Sequence, residues 1–272
     1  MENLRGVLEK YGFRFKKQLG QNFLSDANLL RSVADGAGTD GKTVVEIGCG
    51  AGTLTRELAA AAEKVVAYEI DRKLQPVLAE TLAGIENAEV VFRDFLKEDL
   101  AAVEAELGRY TVVANLPYYI TSAIVMKFVE DAKNADALVI MVQDDVAKRF
   151  CAEAGTPEYG AITAAIARRA DAKIVKYVPR QMFYPVPGVD SAVVKLTFGE
   201  GRIPVKDAKT YRDTVRAAFL SRRKTLENNL VNAFSLTREK AKEALARAGV
   251  DEKARGETLS PEKLAELADI LY

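Results

Sequence analysis

Seven short runs rich in β-branched residues, spread over the chain up to Phe198, alternate with segments of helical periodicity. This alternation restricts the fold more than any other feature. The runs are Thr43–Ile47, Lys64–Tyr68, Glu89–Phe92, Thr111–Ala114, Ala137–Val142, Ile174–Val178 and Val193–Phe198, and Thr53–Ala62, Arg72–Leu82 and Thr121–Asp131 have helix spacing. Strand and helix in turn read as a mostly parallel sheet with helices on both faces. The last two runs are joined across Pro179, Pro185 and Pro187 with no helix pattern between them, so an antiparallel pair at the sheet edge is expected. The expected fold class is α/β, a Rossmann-like seven-stranded sheet with its last strand antiparallel.

After Phe198 the segment Gly199-Glu-Gly-Arg-Ile-Pro204 reads as a linker, and no strand candidate follows it. Tyr211–Leu220, Arg223–Phe234, Arg238–Ala248 and Pro261–Leu271 have helical patterns, the last with Ser260 as a fitting cap before Pro261. Two domains are expected, residues 1–200 holding the sheet and residues 201–272 a small all-helical C-terminal domain. A chain of 272 residues that is 49% hydrophobic can bury a core of this size. No apolar run approaches the ~18 residues of a membrane span, so a soluble, cytoplasmic protein is expected. Cys49 and Cys151 are too few for a disulfide framework.

The chain has no histidine, which removes the commonest base near neutral pH and the commonest metal ligand; no metal is expected. Formal net charge is zero, yet residues 201–272 carry 15 Lys/Arg against 11 Asp/Glu. Any nucleic-acid surface must therefore be local, and the basic excess concentrates between Lys209 and Lys224.

Val44-Val-Glu-Ile-Gly-Cys-Gly-Ala-Gly-Thr53 is a strand entering a glycine turn that opens a helix, where a ligand can approach the backbone and meet free N–H groups. A dinucleotide fingerprint needs Gly or Ala where this chain has Thr53. The spacing of Gly48, Gly50 and Gly52 instead resembles class I S-adenosylmethionine methyltransferases. Two acids fall at the carboxyl ends of the next two strands, the edge where open α/β sheets bind ligands. Glu69, followed by Ile70, is placed to accept ribose hydroxyls, and Asp94 to accept from the cofactor's adenine amine with Phe95 packing nearby.

Asn115-Leu116-Pro117-Tyr118 follows the fourth strand candidate. An aromatic amine is a poor nucleophile because its lone pair is delocalised into the ring. The Asn115 side-chain oxygen and a backbone carbonyl from the Leu116-Pro117 region can bond the amine hydrogens and stabilise positive charge developing on nitrogen. Pro117 restricts Leu116 to extended geometry, and Tyr118 offers a face for a splayed-out base. No strong base is needed, in keeping with the missing histidine. Phe183, ahead of the last strand, either closes the other side of the base pocket or plugs the core beneath the Pro-rich loop.

Taken together, Lys17-Gln-Leu-Gly-Gln-Asn-Phe-Leu24, Glu46-Ile-Gly-Cys-Gly50, Asn115-Leu-Pro-Tyr118, the Phe183–Ser191 string and Phe219-Leu-Ser-Arg-Arg-Lys-Thr-Leu-Glu-Asn-Asn-Leu230 resemble, in order and over nearly the whole chain, the bacterial small-subunit ribosomal RNA adenine dimethyltransferases. The resemblance implies N(6),N(6)-dimethylation of two adjacent adenines near the 3′ end of 16S rRNA during small-subunit assembly, with S-adenosylmethionine as donor and S-adenosylhomocysteine as product. It implies cofactor contacts from Asn22, Leu24, Gly48, Glu69, Asp94 and Asn115, with Gly50, Ile70 and Phe95 beside them. Ser25 or Asp26 would cap the helix after the first string. Arg222, Arg223 and Lys224, expected to open a helix, join Arg212 and Arg216 as candidate phosphate contacts, with Lys17 near the catalytic mouth. The partner is 16S rRNA within the small subunit, and a monomer is expected. Competing readings are a large-subunit rRNA adenine methylase, a non-catalytic ribosome-assembly factor that binds RNA, and a small-molecule methyltransferase.

Overall fold

The computed structural model describes residues 4–15, 23–24, 26–199 and 202–272. The expected site residues Asn22 and Lys17, and the alternative cap Ser25, lie outside the described residues. Contacts divide the chain into two compact units, Met1–Ala147 with Lys173–Phe198, and Lys148–Ala172 with Gly199–Tyr272. The helical unit thus takes in residues 148–172 as well as the C-terminal segment, whereas the sequence reading drew a single boundary at 200/201.

In the first unit the strands are β1 (Thr43–Ile47), β2 (Lys64–Tyr68), β3 (Ala88–Val91), β4 (Tyr110–Asn115), β5 (Ala135–Gln143), β6 (Ala170–Val178, which begins in the second unit's span) and β7 (Ser191–Phe198). They form one sheet in the order β3-β2-β1-β4-β5-β7-β6. The pairings from β3 through β5 are parallel, and β7 runs antiparallel to β5 with Gln143 opposite Ser191. The reversed strand expected from the Pro-rich connection is therefore present. It lies inside the sheet, and β6 occupies the edge. Val44, Val45, Val112, Val113, Leu138 and Ile140 are almost completely buried, as befits central strands packed on both faces.

Short helices follow the strands: α1 (Leu4–Lys10) and α2 (Ala27–Ala37) precede β1, α3 (Thr53–Ala59) follows it, α4 (Gln75–Thr81) follows β2, and α5 (Leu100–Leu107) and α6 (Tyr118–Asp131) flank β4. Asp26 caps α2, its carboxylate accepting from Leu29 N at 2.7 Å. α1 and α5 escaped the sequence reading, each being only about two turns long. α6 begins at Tyr118 rather than at Thr121, because Pro117 in extended geometry serves as its N-cap. α7 (Asp144–Phe150) follows β5. Among the described residues no helix is long and apolar enough to cross a membrane.

The second unit contains α8 (Ala161–Arg169), α9 (Ala208–Ala218), α10 (Leu226–Phe234), α11 (Arg238–Arg247) and α12 (Pro261–Leu271). Its core joins Tyr159, Tyr211, Leu226, Leu230, Leu245, Leu264 and Leu267. The two buried phenols are satisfied by backbone, Tyr159 donating to Leu259 O and Tyr211 to Ala164 O, each at 2.9 Å. Those bonds explain why 148–172 belongs here. Ser260 caps α12, accepting from Lys263 N at 3.3 Å. Arg222, Arg223 and Lys224 sit in a turn ahead of α10, whose cap is Thr225, and do not open the helix as expected.

Candidate active site

β1 delivers the chain into the glycine turn at the carboxyl edge of the sheet. Gly48, Gly50 and Gly52 have φ of 78°, 56° and 76°, conformations that L side chains rarely adopt. A Cβ on Gly50 would stand 2.8 Å from the Phe23 ring, and one on Gly48 3.0 Å from a Leu116 methyl. The turn is thus pressed between the N-terminal aromatic residues and the corner that follows β4. Gly48 N and Cys49 N donate to Tyr68 O, tying the turn to the end of β2.

Glu69 is the first residue past β2 and is 7% exposed. Its Oε2 accepts from Gly50 N at 2.9 Å, and its Oε1 from Ile70 N and Asp71 N at 2.8 Å each. Three of the carboxylate's four acceptor directions are therefore engaged by backbone, and no other described residue is seen to fill the fourth, on Oε2. Burial raises the Glu69 pKa, and the three amide bonds oppose that shift. Asp94 lies three residues beyond the end of β3, where it caps the 3₁₀ turn Phe95–Lys97 through Oδ1 to Leu96 N at 3.1 Å. Phe95 is nearly buried, edge-on to Tyr68 at 4.9 Å and stacked on Phe128 at 5.6 Å, so it anchors this turn in the core.

Asn115 is the last residue of β4, opposite Met141 of β5. Leu116 is buried, and Pro117 O accepts from Ile120 N at 3.1 Å. Tyr118 is half-buried, with its phenol oxygen 2.9 Å from Ser191 Oγ. Phe183 is 4% exposed and sits in a two-residue antiparallel ladder, Leu24 opposite Phe183 and Phe23 opposite Tyr184.

These elements enclose a cleft of about 260 Å³. Every expected cofactor or base-pocket residue that is described lines it: Leu24, Gly48, Gly50, Glu69, Ile70, Asp94, Phe95, Asn115, Leu116, Pro117, Tyr118 and Phe183. Phe183 satisfies both alternatives, being a buried plug and a cleft wall at once. Sequence reasoning passed over Glu46, Arg93 and Tyr119, which also line the cleft. Glu46 is 1% exposed, and burial pushes its carboxyl up to about 8, only partly offset by the nearby Thr55 hydroxyl, while the Glu69 charge adds to the rise. An acid inside the run Val44-Val-Glu-Ile47 was the signal that could have found it.

Apart from Lys17, which lies outside the described residues, the expected RNA-contacting residues belong to the helical unit. Arg223, Lys224 and Arg216 are exposed and Arg212 is half-buried. Arg222 is exposed as well, but its guanidinium is tied to the unit's own backbone, donating to Pro157 O at 3.2 Å and Tyr159 O at 2.6 Å. Asn229 braces the same turn from α10, its amide donating to Ala218 O and Ser221 O.

The family model for ribosomal RNA adenine dimethylases matches residues 12–272. A ribosomal RNA small subunit methyltransferase A of Geobacillus thermodenitrificans is 45% identical, with 97% of this chain and 94% of that protein covered. The protein of the same name from Clostridioides difficile is 46% identical, with 97% and 93% covered. Among solved structures, the 23S rRNA methyltransferase ErmE is 31% identical with a TM-score of 0.69, covering 92% of this chain and 99% of that one. A dimethyladenosine transferase from Plasmodium falciparum shares the fold at a TM-score of 0.77 and 24% identity, covering 90% and 95%. The family match over almost the whole length, joined to a glycine turn and an Asn-Leu-Pro-Tyr corner facing one cleft, means that this chain belongs to the ribosomal RNA adenine dimethylase family.

Proposed function

We propose that the protein transfers methyl groups from S-adenosylmethionine to the exocyclic amines of adenines in 16S rRNA, acting on the small ribosomal subunit in the cytoplasm, with two adjacent adenines near the 3′ end as targets. The observation that carries this reading is the meeting, in a single cleft, of a cofactor-type glycine turn and a corner rich in hydrogen-bond acceptors. The small-subunit assignment is supported by relatives of that name at about 45% identity over nearly the full length.

The residues present fit S-adenosylmethionine. The cradle of Gly48 and Gly50 has no room for a Cβ, Glu69 keeps one acceptor direction that no described residue is seen to fill, and Asp94 lines the same cleft from the turn after β3. The cofactor, when bound, supplies a methyl group made electrophilic by its sulfonium. The chain's own contribution is to hold the acceptor. Asn115 Oδ1 accepts one amine hydrogen, and because Pro117 O already accepts from both Ile120 N and Thr121 Oγ1, the Leu116 carbonyl is the one the corner offers to the other. Both acceptors stabilise the positive charge that develops on the attacking nitrogen, and each transfer ends with that nitrogen giving up one proton to solvent. The Tyr118 ring gives the flipped base a stacking face, worth about 1–3 kcal/mol, with Phe183 forming a further wall. Exposed Arg223, Lys224 and Arg216 of the helical unit contact phosphates and fix the enzyme on folded RNA.

The large-subunit reading has one observation in its favour, the likeness to ErmE. Supplying labelled S-adenosylmethionine with unmethylated small subunits, naked 16S rRNA or large subunits, and mapping modified bases by mass spectrometry, separates the two. Dimethyladenine in 16S rRNA is expected. Label confined to large subunits overturns the proposal, and no label in any RNA favours a non-catalytic role.

A further inference from the structure

We infer that Ser191 is a positioning residue for base capture, holding the Tyr118 ring at the angle at which the target adenine stacks; the inference rests on the base-pocket reading above. Tyr118 opens α6, the first helical residue after Pro117. Its phenol oxygen meets Ser191 Oγ at 2.9 Å, a bond between residues 73 apart in sequence. Ser191 is fully buried, so its hydroxyl has little water to compete for it, and the 2.9 Å separation is that of a hydroxyl–hydroxyl hydrogen bond.

The topology explains why this residue is available. β7 is the one strand shown to run against its β5 neighbour, so its first residue lies at the edge where the parallel strands end, opposite Gln143 at the close of β5. A parallel strand there would present its last residue instead. The reversed strand thereby places a short hydroxyl beside the corner that β4 delivers. A phenol tethered at its far end leaves that position less often, so a flipped base more often meets a ring already in place. Order set in advance lowers the entropy lost when the base is captured.

The test uses full-length Ser191→Ala, Tyr118→Phe, the double variant and Tyr118→Ala, with unmethylated small subunits and labelled donor. Donor affinity is read separately by equilibrium dialysis. Ser191→Ala and Tyr118→Phe should each lower kcat about 3- to 10-fold, the range for one lost hydrogen bond. The double variant should fall no further than either single, with KM for the subunit and donor affinity within about twofold of the parent, since all three remove the same bond. A residue with only a structural role would weaken donor binding in step with the thermal midpoint. Parental kcat in Ser191→Ala, or single losses that multiply in the double variant, overturns the inference. Should Ser191→Ala fail to fold, Tyr118→Phe alone carries the test, and parental kcat in it is equally fatal. Tyr118→Ala reads the underlying assignment: undiminished turnover there refutes stacking on Tyr118, whereas its loss beside a normal Ser191→Ala refutes only the role of Ser191.

Discussion

Replacing Glu46 by Gln should change how the stability of the first unit depends on pH. Glu46 is 1% exposed on β1, and its carboxyl is held up to about 8 by burial. In the unfolded chain the same group titrates near 4.5. Between those values the native state keeps a proton that the unfolded state has released, so stability falls as pH rises, by about 1.4 kcal/mol per pH unit for one proton. The contribution is fully present below the unfolded pKa and lost as pH rises through the folded one. Over the window from 4.5 to about 8 this amounts to roughly 5 kcal/mol. Gln keeps the shape and has no proton to lose. Urea unfolding of parent and Glu46→Gln at matched pH from 5 to 9 isolates the effect, because Glu69, also raised by burial, is present in both. The stability of Glu46→Gln relative to parent should rise with pH up to about 8 and then level off. Parallel curves throughout would show that Glu46 is ionised in the folded protein at neutral pH, and the reasoning from its burial would be wrong.

Three further outcomes are expected. Asn115→Ala should lower single-turnover methyl transfer at least about 100-fold, the scale of removing one preorganised group that stabilises developing charge, while filter binding to small subunits stays near parental. Gly256→Ala places a Cβ 2.0 Å from Ala218 O, backbone against backbone with no side chain able to yield, and should destabilise the helical unit by about 3 kcal/mol in urea titrations followed by far-ultraviolet circular dichroism. Arg223→Ala and Lys224→Ala should each reduce the salt slope of subunit binding by about one with an unchanged thermal midpoint, whereas Arg222→Ala should also lower that midpoint by releasing the Pro157 and Tyr159 carbonyls.

The parts of this molecule that could be read in the sequence are those whose physics is local. β1 and β2 coincide with their runs because a continuous apolar stretch between a charged or polar start and a glycine or acid has few other solutions. The glycine turn and the Asn-Leu-Pro-Tyr corner were legible for the same reason, since each is a backbone constraint written in adjacent residues. What escaped depends on distant partners. Nothing near Lys148 or Ala172 marks a change of unit, because the preference of that segment is set by Tyr159 reaching Leu259, and by Tyr211 reaching Ala164. Arg222 looked like its neighbours Arg223 and Lys224, and only the carbonyls it serves set it apart. Gly256 carries no turn signal and is needed solely because α9 ends against it. Ser191 shows most clearly where the limit lies. Its string was visible and the reversal of the following strand was foreseen, yet the role of its hydroxyl follows only when the two are combined. Reversal carries the start of β7 to the edge where β4 ends, and there a serine can reach the ring of a tyrosine 73 residues earlier. Function in this sheet is thus written at strand ends, and an antiparallel strand contributes its beginning to that edge, where a parallel one would contribute its end.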